Sequence, residues 1–264
     1  MALRIATWNV NSIRRRLDGL ARFCAEAAPD VLCLQEIKVR NEDFPREALR
    51  DLGYIHQEIH GQKGYHGVAI LSRQPFEASG GRRWCAKDDR RHAFVRLAGG
   101  VELHNFYVPS GGPVPDPERN DKFDHKLKFL RAMARWCRRD RVRERKLVIL
   151  GDFNVAPLET DVWNHTRLLR SVGHTPVESQ HMAKLRTAGA FIDAERHFVP
   201  PSEPLYTWWG YRFPLSYAKN YGWRLDHVWV TPPLVPALRH MDIVKAARTW
   251  DDPSDHVPVV VDLG

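Results

Sequence analysis

Several short apolar runs in this chain each end at a polar side chain, and that repeated ending constrains the fold more than any other feature. In Leu150-Gly151-Asp152-Phe153-Asn154-Val155-Ala156-Pro157-Leu158, an apolar run passes into a loop that carries a carboxylate and a carboxamide on one side. Val31-Leu32-Cys33-Leu34 ends at Gln35-Glu36, and the run from Leu3 ends at Asn9 and Asn11. Asp226 stands at the polar end of a run to Val230, and Ser254-Asp255-His256 precedes the last apolar stretch. A buried strand fixes its own backbone, so a polar residue at its mouth is held at a sheet edge. The repetition predicts one site assembled at one edge, the layout of a metal-assisted hydrolase.

The runs read as strands because they alternate or are wholly apolar over strand lengths: Leu3 to Asn11, Val31 to Leu34, Gly67 to Leu71, Ala93 to Leu97, Val101 to Val108, Leu147 to Leu150, Leu225 to Val230 and Val257 to Val261. Between them, Ile13, Leu17, Leu20 and Cys24 recur at helical spacing, with Arg14, Arg15, Arg16 and Arg22 expected on the exposed flank. Residues 122–139 form the best helix pattern. Phe123, Leu127, Leu130, Ala134 and Cys137 make its buried stripe, and Lys122, Lys126, Lys128, Arg131 and Arg135 belong to its basic exterior. Thr175-Pro176-Val177-Glu178 is a helix start with N-cap, first-turn proline and capping-box glutamate, and that helix should stop near Gly189.

No linker or composition shift divides the 264 residues, so the chain is read as a single domain over 1–264. The glycines form neither a dinucleotide-binding nor a P-loop pattern. Cys24, Cys33, Cys85 and Cys137 make no C-x-x-C pair, and three of them sit in apolar segments as buried free thiols. The start runs directly into a strand pattern, and no apolar run approaches membrane-spanning length, so a cytoplasmic setting without a membrane is expected. Lys plus Arg exceeds Asp plus Glu, 40 against 32, which suits a polyanionic partner.

Glu36 and Asp152 are the strongest metal-ligand candidates. Hard oxygen ligands without a cysteine–histidine cluster favour magnesium or manganese over zinc. His256 can hold or protonate a phosphoryl oxygen, with Asp226 as the carboxylate that fixes its tautomer; His227, beside Asp226, competes for the same role. Asn9, Asn11 and Asn154 are amides able to orient a water, a carboxylate or a phosphate. Tyr107 can donate a phenolic hydrogen bond. The aromatic run Tyr206 to Tyr211, with Tyr217, Tyr221 and Trp223, is interleaved with Arg212, Lys219 and Arg224. It reads as a wall for a sugar or base, the cations serving the backbone.

Taken in order, Trp8 to Ile13, Leu34 to Lys38, His66 to Ser72, Asn105 to Pro109, Gly151 to Asn154, Tyr206 to Trp209, Arg224 to His227 and Ser254 to Val259 resemble the blocks of the exodeoxyribonuclease III family of the endonuclease/exonuclease/phosphatase superfamily. The resemblance spans nearly the whole chain. It implies an α/β fold, a four-layer sandwich of two mainly antiparallel sheets packed face to face with helices outside. It implies a divalent-ion enzyme that cuts double-stranded DNA on the 5′ side of abasic sites and trims 3′ ends, acting as a monomer. By the resemblance, Glu36 binds the metal with Asn9 and Asp255 assisting, Asp152 activates water, Asn154 orients water or phosphate, and Tyr107 contacts the phosphate. His256, supported by Asp226, stabilises the transition state. Asn11 and Arg90 serve substrate binding, and Trp208, Trp223 and Leu225 line a pocket for the extruded sugar. Tyr221 and Trp223 add aromatics where the family pattern prefers a small polar run, which bears on pocket size. Two other classes remain open on sequence: a phosphoesterase of the superfamily acting on RNA, inositol phosphates or lipid headgroups, and a noncatalytic DNA-binding protein on the same fold.

Overall fold

The computed structural model describes residues 2–85, 87–212 and 215–264; Met1, Ala86, Phe213 and Pro214 lie outside the described residues. In chain order the strands are β1 (Leu3–Asn9), β2 (Val31–Gln35), β3 (His56–His60), β4 (Val68–Ser72), β5 (Phe76–Gly80), β6 (His92–Leu97), β7 (Glu102–Tyr107), β8 (Leu147–Asp152), β9 (Ile192–Asp193), β10 (Asp226–Val230), β11 (Leu238–Ile243) and β12 (Val259–Leu263). The helices are α1 (Leu17–Ala27), α2 (Arg46–Asp51), α3 (Asp121–Arg139), α4 (His165–Leu168), α5 (Pro176–Gly189) and α6 (Ala194–Phe198).

Period-two side chains sort these strands into layers. Leu3 and Ile5 of β1 face inward with Val31, Cys33, Val68 and Ile70, and meet Val95, Leu103, Val148, Leu150 and Val228 of a second sheet. The intervening residues Ala6, Trp8, Leu32 and Leu34 face outward onto Leu20, Phe23 and Cys24 of α1. Phe106 and Ile149 of the second sheet pack outward onto Phe129, Leu130 and Met133 of α3 and Met182 and Leu185 of α5. The result is helix, sheet, sheet, helix.

Each sheet has six strands, ordered β11-β12-β1-β2-β4-β3 and β5-β6-β7-β8-β10-β9. The β1–β2 and β7–β8 pairs are parallel and the remaining pairs antiparallel. Two parallel pairs send the C-terminal ends of β1, β2, β7 and β8 to one edge, and register places Tyr107 and Asp226 on either side of Asp152. β8 approaches β7 closely there: a Cβ on Gly151 would collide with the Phe106 carbonyl, so the residue before Asp152 must be glycine.

The expected helix start is present, with the Thr175 side chain accepting from the Glu178 amide, proline at the first turn and the left-handed Ala190 after Gly189. Cys24, Cys33 and Cys137 are buried free thiols and Cys85 is half-buried. Among the described residues no helix is long and apolar enough to cross a membrane. Three cations expected outside are buried: Arg16, Lys126 and Arg224. Arg16 is drawn in by the Pro253 carbonyl and the Tyr211 hydroxyl, each 3.0 Å away. Lys126 is paired with Glu178, and Arg224 with three acids.

Candidate active site

Asn9, the last residue of β1, ties the edge together. Its Nδ2 donates to Glu36 Oε1 at 3.0 Å and to Asp152 Oδ2 at 2.9 Å, while its Oδ1 accepts the Asn11 amide at 3.0 Å. With both sides of the amide committed, Asn9 bridges two carboxylates from different sheets. Beneath it, Gln35 Nε2 donates to Thr7 Oγ1 at 2.9 Å and to Asn105 Oδ1 at 2.7 Å, so a polar plug locks the two sheets in place under the site.

Glu36 leaves β2 in the left-handed region, φ 51°, as do Asn11 at 44° and Asn154 at 53°. Such backbone costs about 1 kcal/mol or more for a non-glycine residue and persists where the surroundings over-determine it. Here the side chains do so. Glu36 accepts Tyr107 Oη at 2.8 Å and pairs with Lys38 Nζ at 2.8 Å. Burial would raise its carboxyl, but Lys38, Asn9 and His256 outweigh that and hold it below its ordinary range. Asn154 turns its amide N–H back onto Asp152 Oδ1 at 2.8 Å, and its Nδ2 donates to the Val108 carbonyl at 2.9 Å and to Asp152 Oδ2 at 3.1 Å. Both neighbours of that nitrogen are acceptors, which fixes the amide orientation and leaves Oδ1 as the free atom.

His256 Nδ1 lies 2.8 Å from Asp226 Oδ2, and its Nε2 faces Asp152 Oδ2 at 3.8 Å, too far for a hydrogen bond. Thr207 Oγ1 donates to the same Asp226 oxygen at 2.6 Å. Burial would lower the His256 pKa, but Asp226 and Asp152 outweigh it and hold the imidazole protonated well above its usual range. Burial pushes the Asp152 carboxyl up; the His256 charge offsets part of that rise, and Asp226 and Glu36 add to it. His227 points to the other face of β10, where Nε2 meets the Val155 carbonyl at 2.8 Å, so it does not join the cluster.

Asp255 is held by Asn11 Nδ2 and Trp208 Nε1, each at 2.9 Å, one on each carboxylate oxygen. Trp208 and Trp223 meet edge to face at 6.2 Å and pack with the small cluster of Ala156, Val162 and Leu225 beside His256. Tyr221 leaves this wall and stacks on Trp163 at 4.2 Å, while Trp209 is buried in the core. Arg224, expected to serve a polyanion's backbone, is fully buried instead. Arg90 lies on the loop before β6 with its guanidinium 3.8 Å from Asp88. Its neighbour Arg91 is stacked over the Tyr107 ring at 4.8 Å and donates to the Tyr107 carbonyl at 3.3 Å. Beside Tyr107 a cleft of about 540 Å³ carries Lys38, Lys87, Arg91 and Lys122 on its lining together with Glu36, Asp88 and Asp89.

The donor set suits a hard divalent ion. Glu36 and Asp152 present two carboxylates bridged by the Asn9 amide, while Asp226 and the protonated His256, grouped with Asp152 within 4.8 Å, are committed to each other. Glu36, Asp152, Asp226 and Asp255 converge against two cations, Lys38 and His256, an acidic excess that a divalent ion neutralises. A second acidic group, Asp193, Glu195 and His227, is filled by the Arg224 guanidinium rather than open to an ion.

Lys38, Thr207 and Arg91 complete the site without having been singled out from sequence. Thr207 lies inside a conspicuous block but its target, Asp226, is on another strand, and Lys38, two residues after Glu36, folds back onto it only through the left-handed turn there, so neither is marked by spacing alone.

Residues 6–256 match the Endonuclease/Exonuclease/phosphatase family, and the chain belongs to that family. It is 30% identical to exodeoxyribonuclease III of Haemophilus influenzae over 270 residues, 97% of this chain and 98% of that one. The structure of the 3′ phosphatase NExo from Neisseria, bound to product DNA hairpin, superposes with a TM-score of 0.91 at 32% identity over 99% of each chain. An AP endonuclease from Archaeoglobus fulgidus superposes with a TM-score of 0.90 at 34% identity over 98% of each.

Proposed function

We propose that this chain is a divalent-metal-dependent DNA phosphodiesterase that cuts duplex DNA on the 5′ side of abasic sites and removes nucleotides or blocking groups from 3′ ends. Magnesium or manganese is the proposed ion, and the proposed working form is a cytoplasmic monomer of one domain over 1–264. The observation that carries the reading is the placement of a protonated His256 and a carboxylate, Asp152, across a 3.8 Å gap, next to an apolar wall of Trp208, Trp223 and Leu225. An abasic sugar has no base to unstack, so it is extruded against such a wall at less cost than a nucleotide that keeps its base.

Asp152 takes the proton of the attacking water, and Asn154 Oδ1 accepts that water's second hydrogen. As the new P–O bond forms the P–O3′ bond breaks, and the departing 3′ oxygen takes a proton from solvent to become the 3′-hydroxyl. His256 Nε2–H donates to a phosphoryl oxygen as its charge develops, with Asp226 holding His256 in its donor form. Tyr107 Oη–H, which holds Glu36 Oε1 in the free protein, turns to a phosphoryl oxygen when DNA binds. Glu36, with Asp152 beside it, would hold the divalent ion, which when bound neutralises phosphoryl charge as a Lewis acid. Lys38, Lys87 and Lys122, on the lining of the cleft beside Tyr107, receive backbone phosphates.

The deciding experiment uses a duplex with one tetrahydrofuran abasic analogue, with magnesium and with chelator. Ion-dependent cleavage immediately 5′ to the analogue, leaving a 3′-hydroxyl, is expected. An intact duplex together with turnover of an inositol phosphate would replace this reading with the small-phosphate one. Glu36→Gln should raise the magnesium concentration for half-maximal cleavage by at least about tenfold, read from a metal titration of the rate. An unchanged titration would remove Glu36 from the ion's ligands.

A further inference from the structure

We infer that Lys126 is a positioning residue for the cleavage step: its buried ammonium clamps together the two loops that carry Tyr107 and Asn154. The inference rests on the phosphodiesterase reading above. Lys126 belongs to α3 and is fully buried, as is its partner Glu178 at the start of α5. Its three N–H bonds have three acceptors: the Asn154 carbonyl at 2.7 Å, the Ser110 carbonyl at 3.2 Å and the Glu178 carboxylate.

Those two carbonyls belong to the segments that leave β8 and β7 at the active edge. Asn154 is held in the left-handed region with its amide on Asp152, so a donor on its carbonyl fixes the peptide that follows it and with it the turn of the residue whose amide and side chain hold Asp152. Ser110 follows Tyr107 by one turn of loop, and the Asn154 side chain already bonds the Val108 carbonyl between them. Lys126 therefore closes a ring: Tyr107 loop, ammonium, Asn154 loop, carboxamide, and back to the Tyr107 loop.

Glu178 extends the clamp toward the aromatic wall. Its carboxylate accepts the Gly173 amide at 2.9 Å, the Thr175 amide at 3.1 Å and the Thr175 hydroxyl at 2.6 Å. Gly173 lies flat against the Trp223 ring, where an added Cβ would stand 3.2 Å away. One ion pair thus reaches the water-activating side of the site and the sugar-binding side. An apolar residue at position 126 could fill the same space, but it would leave both loop carbonyls without a donor. A buried ion pair is often no more stabilising than apolar packing, so its value here lies in what it aligns.

The test compares wild type, Lys126→Met, the double variant Lys126→Met/Glu178→Gln, and Glu178→Gln, below the melting temperature of each. Single-turnover cleavage, DNA Kd and Tm are measured on the abasic duplex, or on a small aryl phosphodiester if wild type leaves the duplex whole. The latter outcome counts against the abasic reading alone. Lys126→Met should lose about 100-fold in cleavage rate, the scale of an ångström-level misplacement, with DNA Kd unchanged and Tm lowered. The double variant should regain Tm, because no charge is left buried, but not rate. Recovery of rate together with Tm would mean that Lys126 only neutralises Glu178, and the proposal would be overturned. Glu178→Gln keeps the lysine and an acceptor for it but gives up part of the Gly173 and Thr175 side, so it should lose less than about tenfold in rate while Tm falls. A rate loss there as large as that of Lys126→Met would equally overturn the clamp.

Discussion

Asp152→Asn should lower single-turnover cleavage of an abasic duplex by about a thousandfold, the middle of the range for general acid–base catalysis, and leave DNA affinity in chelator unchanged. The substitution preserves volume and the Asn154 amide bond to Oδ1, at 2.8 Å in the wild type, so the loop should keep its shape. What it removes is the atom that can take a proton. Oδ2 is also the oxygen on which Asn9, Asn154 and the face of His256 converge, at 2.9, 3.1 and 3.8 Å. An amide nitrogen there would set donor against donor.

The pH profile separates proton transfer from simple disorder. Burial raises the Asp152 pKa, and the pair's carboxylates raise that of His256. The active combination is ionised Asp152 with protonated His256, so the wild-type rate should rise with pH along an acid limb as Asp152 ionises. It should fall again only above the ordinary histidine range. These limbs belong to the coupled pair rather than to either residue alone. In Asp152→Asn the acid limb should disappear. A variant within tenfold of wild type, or one that keeps the acid limb, would take Asp152 out of the base's role.

Much of this arrangement is legible in the amino-acid sequence, and the rest is hidden for identifiable reasons. β2 and β8 lie in the sheet interior and are buried throughout, so continuous apolar runs mark them. β3, with the sequence His56-Gln57-Glu58-Ile59-His60, lies at a sheet edge and is only partly buried, so it carries no such mark; β5 and β11 are at edges for the same reason. The polar endings reveal which residues reach the active edge, because strand burial is local. How Glu36 and Asn154 turn there is not legible, since neither is a glycine and their left-handed backbone is imposed by bonds from other strands. The buried cations are hidden in a different way. Lys126 and Arg224 resemble surface residues until Glu178, Asp161, Asp193 and Glu195 arrive from elsewhere in the chain.

Arg224 gives the largest stability effect. Its Nε donates to Asp161 Oδ1 at 2.9 Å, and its Nη1 to Asp193 Oδ2 at 2.9 Å and Glu195 Oε2 at 2.6 Å, with Arg196 reaching the same Asp161 oxygen at 2.5 Å. Burial drives the Glu195 carboxyl well above its ordinary range; Arg224 opposes this only in part, and Asp193 and Asp161 add to it. Two guanidinium groups, Arg224 and Arg196, face Asp161, Asp193 and Glu195. Arg224→Met would leave buried acids facing one guanidinium, at a cost of about 3–5 kcal/mol. That corresponds to a fall in Tm on the order of 10 °C for a chain of this size. Without Arg224 the acids gain the option of protonation, so the Tm deficit should shrink as the pH is lowered from 8 toward 5. Glu195→Gln, which mimics the protonated acid, should cost far less. The network also holds the aromatic wall: the Arg224 amide donates to the Asp161 carbonyl at 2.8 Å, and Trp223 bridges to Val162. Arg224→Met should therefore also weaken discrimination between an abasic and an intact duplex, even at temperatures where it stays folded. A variant that melts with wild type at pH 8 would show that the buried charges are relieved by water, and the account of this network as the frame behind Trp223 and Leu225 would fail.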